Sequence, residues 1–130
     1  MLLKDKHIFI VEDDPRNRAV LITILQRQGA LTHFDQWGIQ TIDRIKEFQQ
    51  IDLILLDLML PRGVSGYDVY DQLQAEPTLA HIPVVIVSAS DPALEMNKAR
   101  KRGLQGYISK PINHLTFAQS IASLLDGNEI

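Results

Sequence analysis

Five side chains in this sequence are of types that could do chemistry together: Glu12, Asp13, Asp57, Ser88 and Lys110. Each stands just past a short apolar run. Ile8-Phe9-Ile10-Val11 gives way to Glu12, Asp13 and Asp14, Leu53-Ile54-Leu55-Leu56 to Asp57, Val84-Val85-Ile86-Val87 to Ser88, and Gly106-Tyr107-Ile108-Ser109 to Lys110. Carboxylates crowded into one cleft repel each other, and a divalent cation resolves the repulsion. An all-oxygen donor set suits magnesium, which keeps several waters and takes one or two carboxylates together with phosphate oxygens. A hydroxyl and an ammonium, from Ser88 and Lys110, are the groups wanted by phosphate oxygens that the metal does not hold. The combination describes a phosphoryl-transfer site. Its nucleophile is a carboxylate, because the chain has no cysteine and no histidine beside the cluster.

Such a site exists only if the chain gathers these residues, and the pattern of elements says how. Unbroken apolar runs such as residues 53–56 read as parallel strands buried on both faces. Asp14-Pro15 and Asp91-Pro92 each pair an N-cap with a first-turn proline. The first helix carries Val20, Leu21, Ile24 and Leu25 at helical spacing and stops at Gly29. Residues 31–34 form a weaker strand ending at Asp35. A second helix is expected from about Gly38, with Ile39, Ile42, Ile45 and Phe48 on one face.

After the central stretch 51–61 comes the turn-rich loop 62–66, then a third helix over 67–76 stopped by Pro77. Residues 83–88 are a fourth strand and 106–109 a fifth. The last helix starts at Asn113 or Thr116 and bears Phe117, Ile121, Leu124 and Leu125. Strand and helix alternate throughout, which with right-handed crossovers predicts an α/β fold: a doubly wound five-stranded parallel sheet with five helices. All the polar groups then emerge at the carboxyl edge, where open α/β sheets place ligands.

At 130 residues and 45% hydrophobic content the chain, residues 1–130, is expected to be one domain with a core of its own. A net charge of −3 leaves no electrostatic footprint for nucleic acid or an anionic membrane surface. No signal peptide or bilayer-spanning run is visible, and a cytoplasmic location is the expectation. Arg100, Lys101 and Arg102 close a helix and read as solvated. His7, His33, His81 and His114 are scattered without metal-ligand spacing, and Trp37 is assigned no role.

Glu12-Asp13 after the first run, Asp57 in LLDLMLP, Ser88-Ala89 after VVIV, and Tyr107-Ile108-Ser109-Lys110-Pro111 together resemble the response-regulator receiver domains of two-component signalling. The resemblance spans essentially the whole chain, with its four motifs in the family's order. It implies a stand-alone, flavodoxin-like receiver with strand order 2-1-3-4-5, a signalling phosphoacceptor rather than an enzyme. Asp57 is then the phosphorylation site, charged by a histidine kinase or histidine phosphotransfer protein. The resemblance implies that Asp13, Asp57 and the Met59 carbonyl hold magnesium and that Glu12 acts through a metal-bound water. Ser88, the Ala89 amide and Lys110 would bind the phosphoryl oxygens, Lys110-Pro111 would be cis, and Ser88 and Tyr107 would switch. The output surface would be the fourth helix, fifth strand and fifth helix, toward a downstream protein.

Against the family pattern, Glu12 replaces the commoner aspartate, Ser88 a frequent threonine, and the loop 62–66 is one residue longer. Met59 and Ser90, two past the acceptor and two past the hydroxyl, are poor at orienting water, so slow self-dephosphorylation is expected. Four alternatives remain at this level: a receiver excised from a larger regulator or hybrid kinase, a flavin-binding domain on the same fold, an aspartate-nucleophile hydrolase, and a degenerate receiver used only as a scaffold, against which the intact acidic, hydroxyl and lysine positions argue. The flavin reading wants a Ser/Thr/Gly-rich phosphate loop where Glu12-Asp13-Asp14 stands. The hydrolase wants a second aspartate where Met59 stands.

Overall fold

In the computed structural model, which describes residues 1–35, 40–48 and 50–127, five parallel strands form one sheet. The strands are β1 (His7–Val11), β2 (Leu31–Asp35), β3 (Leu53–Leu56), β4 (Val84–Ser88) and β5 (Gly106–Ser109), in the order β2-β1-β3-β4-β5. The helices between and after them are α1 (Pro15–Arg27), α2 (Thr41–Lys46), α3 (Gly66–Ala75), α4 (Pro92–Arg102) and α5 (Phe117–Leu125). The expected start of the second helix at Gly38, with Ile39, and the position of Trp37 lie outside the described residues.

The two-residue period of a strand sorts its side chains into two cores. Phe9, Val11, Ile54, Leu56, Val84 and Ile86 face one layer, where Ile45 of α2, Val69, Tyr70 and Leu73 of α3 and Ala99 of α4 meet them. Ile8, Ile10, Leu53, Leu55, Val85 and Val87 face the other, against Leu21, Ile24 and Leu25 of α1 and Phe117, Ala118, Ile121 and Leu124 of α5. Burying a side chain of this size contributes about 1.5–3 kcal/mol, so the central strands are the fixed frame of the molecule.

The caps hold the helices where the sequence puts them. Asp14 accepts from the Arg16 amide at 2.8 Å and Asp91 from the Ala93 amide at 2.9 Å. The third helix begins one residue earlier than its apolar spacing suggests, at Gly66, because Ser65 and Asp68 form a reciprocal capping box there. Thr116 is the N-cap of the last helix, while the Asn113 side chain accepts from the Leu115 amide at 2.9 Å and closes the turn before it. The loop after β3 turns through two left-handed residues, Arg62 (φ 61°) and Gly63 (φ 72°), in a short 3-10 turn over Pro61–Gly63.

The strand order reverses direction at β1. The chain runs outward from β1 to β2 and then back across to β3, so the connections leaving β1 and β3 diverge. A crevice opens between them at the carboxyl edge, and Glu12 to Asp14 and Asp57 sit at its mouth.

Candidate functional site

Backbone pairing sets the height of each functional residue. The Asp57 amide donates to the Val11 carbonyl at 3.0 Å, which puts the end of β3 level with the acidic loop after β1. The Lys110 amide donates to the Ser88 carbonyl at 2.9 Å, tying the end of β5 to that of β4. Arg18, one turn into α1, donates through Nη1 to the carbonyl of Glu12 at 2.9 Å and of Asp13 at 3.4 Å, and its guanidinium lies 4.5 Å over the Phe34 ring. It pins the acidic loop while leaving the carboxylates free. Sequence reasoning missed Arg18 because its targets are carbonyls, which every residue has.

The side chains then converge. Glu12, Asp13 and Asp57 each offer a carboxylate oxygen within 4.8 Å of one another. Lys110 Nζ lies 2.5 Å from Glu12 Oε1 and 3.2 Å from Asp57 Oδ2, so one ammonium is shared by two carboxylates. Asp57 Oδ1 accepts from the Met59 amide at 3.2 Å. Glu12 is 1% exposed and Asp57 9%. Burial pushes the Glu12 carboxyl up to about 7, assisted by the neighbouring Asp57 charge and opposed by Lys110. Burial pulls the Lys110 ammonium down, but the Glu12 hydrogen bond and the Asp57 charge outweigh it and hold that group above the usual lysine range.

Ser88 is buried at the end of β4. Its Oγ lies 3.1 Å from Ser90 Oγ and accepts from the Ser90 amide at 3.2 Å. The Tyr107 ring is packed inward in the core, 8% exposed, with its hydroxyl donating to the Ser90 carbonyl at 3.0 Å. Ser90 therefore touches both expected switch residues. Ala89 is exposed beside them, Met59 is 73% exposed at the rim, and the Lys110–Pro111 peptide is cis.

The donor set fits a hard divalent cation: three carboxylates, all oxygen, closely grouped and served by one ammonium. Gly66 makes the close packing possible. Its amide donates to the Leu58 carbonyl at 2.8 Å, and a Cβ there would strike the Asp57 carbonyl and lie 3.0 Å from Leu58 Cα. The glycine was visible in the sequence only as part of a turn-rich loop.

The pattern of the response regulator receiver domain matches residues 8–122. The chain belongs to that family. A receiver domain is a component of two-component signalling, a signalling protein rather than a classical enzyme, and membership leaves the flavin-binding and hydrolase readings without support. Among relatives, the polar-differentiation response regulator DivK of Brucella ovis is 35% identical over 120 residues, covering 92% of this receiver and 96% of the relative. The solved receiver domain of sensor histidine kinase PA1611 from Pseudomonas aeruginosa PAO1, described with a magnesium ion coordinated in its active site cleft, is 27% identical. It superposes with a TM-score of 0.80 over 95% of this chain and 99% of that one. A CheY-like receiver from Methanospirillum hungatei JF-1, at 22% identity, a TM-score of 0.82 and coverage of 95% and 96%, shares the fold. The five-stranded flavodoxin-like architecture is thus that of the receiver family.

Proposed function

We propose that this receiver takes a phosphoryl group on Asp57 from a phosphohistidine of a histidine kinase or phosphotransfer protein, and holds it as an acyl phosphate. The observation that carries this reading is the convergence of Glu12, Asp13, Asp57 and Lys110 in one cleft at the carboxyl edge. Asp57, Asp13 and the Met59 carbonyl would hold magnesium, with Glu12 reaching it through water. Bound there, the ion supplies the positive charge that lets one anion attack another.

A carboxylate oxygen of Asp57 attacks phosphorus, the P–N bond of the donor breaks, and the leaving imidazole keeps the electron pair and takes a proton from solvent. The Met59 amide holds one Asp57 oxygen and fixes the carboxylate plane. Lys110, already 3.2 Å from the other oxygen, is placed to follow the negative charge onto the phosphoryl group. Ser88 and the Ala89 amide take further phosphoryl oxygens. For Ser88 this means turning its hydroxyl away from Ser90, which also carries the Tyr107 hydrogen bond, so the two switch residues respond together. The altered α4, β5 and α5 surface is then read by a downstream protein.

The test is incubation of the full chain with magnesium and a small acyl phosphate donor, followed by intact mass. Wild type gains one phosphoryl group and Asp57→Asn gains none. An unmodified wild type, or a modified Asp57→Asn, overturns the assignment.

A further inference from the structure

α4 is attached to the rest of the molecule with little of its own surface in the core. Among its residues only Ala99 is buried, with Met96 packed partly against the core. Apolar burial alone therefore holds it weakly. Its other anchorage is polar and goes to α3, to Tyr67 and Asp71, with Tyr67 met at both ends of α4. The Tyr67 hydroxyl lies 2.7 Å from Glu95 Oε2, in the first turn of α4. At the other end of α4 the Arg102 guanidinium lies 4.5 Å over the Tyr67 ring, and its Nη1 is 3.3 Å from each carboxylate oxygen of Asp71 on α3.

Tyr67 itself sits close to the acceptor. It follows Gly66, whose missing Cβ lets α3 start directly against the peptide between Asp57 and Leu58, and whose amide donates to the Leu58 carbonyl at 2.8 Å. The Tyr67 amide donates to Ser65 Oγ at 3.1 Å. The chain just after Asp57 is thus joined to Tyr67 through two links, a tight backbone seat and a capped helix start.

We infer that Tyr67 is a positioning residue that clamps α4 through Glu95 and Arg102 and carries a change at Asp57 to that helix, by a route separate from Ser88 and Tyr107. Burial, and then the Glu95 hydrogen bond, hold the phenol well above its usual range, so it remains a donor across the neutral region. The carrying step rests on phosphorylation of Asp57, whereas the clamp itself does not.

The test is amide hydrogen exchange over residues 92–102 in the full chain, with phosphoryl stoichiometry read on the same samples by intact mass. Without phosphodonor, Tyr67→Phe keeps the ring and loses the bond to Glu95, and α4 amides are expected to exchange about tenfold faster, the loss expected of one charge-assisted hydrogen bond. Glu95→Ala should reproduce this from the other side, leaving the Gly66 seat untouched should Tyr67→Phe fold poorly. Glu95→Gln, which keeps an acceptor without the charge, should exchange faster than wild type but by less than Glu95→Ala does. With phosphodonor, Tyr67→Phe should reach wild-type stoichiometry while the phosphorylation-dependent change in α4 shrinks at least threefold. Unchanged resting exchange in both Tyr67→Phe and Glu95→Ala overturns the clamp. An undiminished α4 response in phosphorylated Tyr67→Phe overturns the route. A wild type that gains no mass removes the Asp57 assignment and the route with it, and the resting-state comparison still decides the clamp.

Discussion

The two edges of the sheet each press titratable side chains together, and they resolve the problem in opposite ways. At the carboxyl edge Glu12 and Asp57 share the Lys110 ammonium, with Asp13 close by. At the amino edge His7 Nδ1 and His33 Nε2 lie 3.3 Å apart, and the His33 ring stacks on Phe48 at a centroid distance of 4.0 Å. Burial pushes Glu12 up and, aided by the charges of His7 and Arg44, pushes His33 down, so both groups are driven toward neutrality. The two imidazoles face each other nitrogen to nitrogen within hydrogen-bond reach. The carboxylates outnumber their ammonium, and the surplus negative charge is a capacity to bind a cation.

The largest way to break this comparison is Lys110→Ala. It leaves the carboxylates without their cation, and in magnesium-free buffer at pH 8 denaturant unfolding should show a loss of about 3 kcal/mol. At pH 5 the loss should be smaller, because Glu12 then carries a proton. A loss under about 1 kcal/mol at pH 8 would mean that the carboxyl edge neutralises itself as the amino edge does.

The next effect is the pH dependence of metal-free wild type. The folded value of about 7 for Glu12 lies above the ordinary 4.5, so the folded state keeps a proton that the unfolded state has released. The stability Glu12 contributes is therefore fully present below the ordinary value and drains away as pH rises through about 7, with a slope of at most about 1.4 kcal/mol per pH unit. Glu12→Gln should flatten this slope, and an unchanged slope in that variant would assign it to another group.

The smallest effect has the opposite sign. His33 is held below its ordinary 6.5, so its contribution is complete above that value and is lost as pH falls through the lowered one. His33→Phe should sit within about 1 kcal/mol of wild type at pH 7.5 and lose less stability on acidification to pH 5. A variant that loses as much as wild type would place the acid sensitivity elsewhere.

What was legible in the sequence was whatever local chemistry dictates. Leu53 to Leu56 ending at Asp57, the Asp14 and Asp91 caps before proline, and the lone lysine before Pro111 announce strand ends and helix starts without knowledge of the partner. Features that depend on register were hidden. His7 and His33 are 26 residues apart and meet only because β1 and β2 pair with His7 opposite Leu31 and Phe9 opposite His33. Arg18 acts on carbonyls, and Gly66 acts by what it lacks, so neither leaves a pattern of residue types. Tyr67 reads as one more half-buried aromatic on a helix, because Glu95 reaches it from 28 positions away.

The joint between β1 and α1 is only Glu12, Asp13 and Asp14 long, and each residue there has a separate task. The carbonyls of the first two are gripped by Arg18, the Glu12 side chain meets Lys110, and Asp14 caps α1. Unlike the stretch after β3, which passes through a left-handed turn, this joint has no slack. Anyone grafting a peptide into this scaffold, or permuting its termini, should leave the β1–α1 corner uncut: one inserted residue there would unfasten a strand end, a helix start and an acidic pocket in a single stroke.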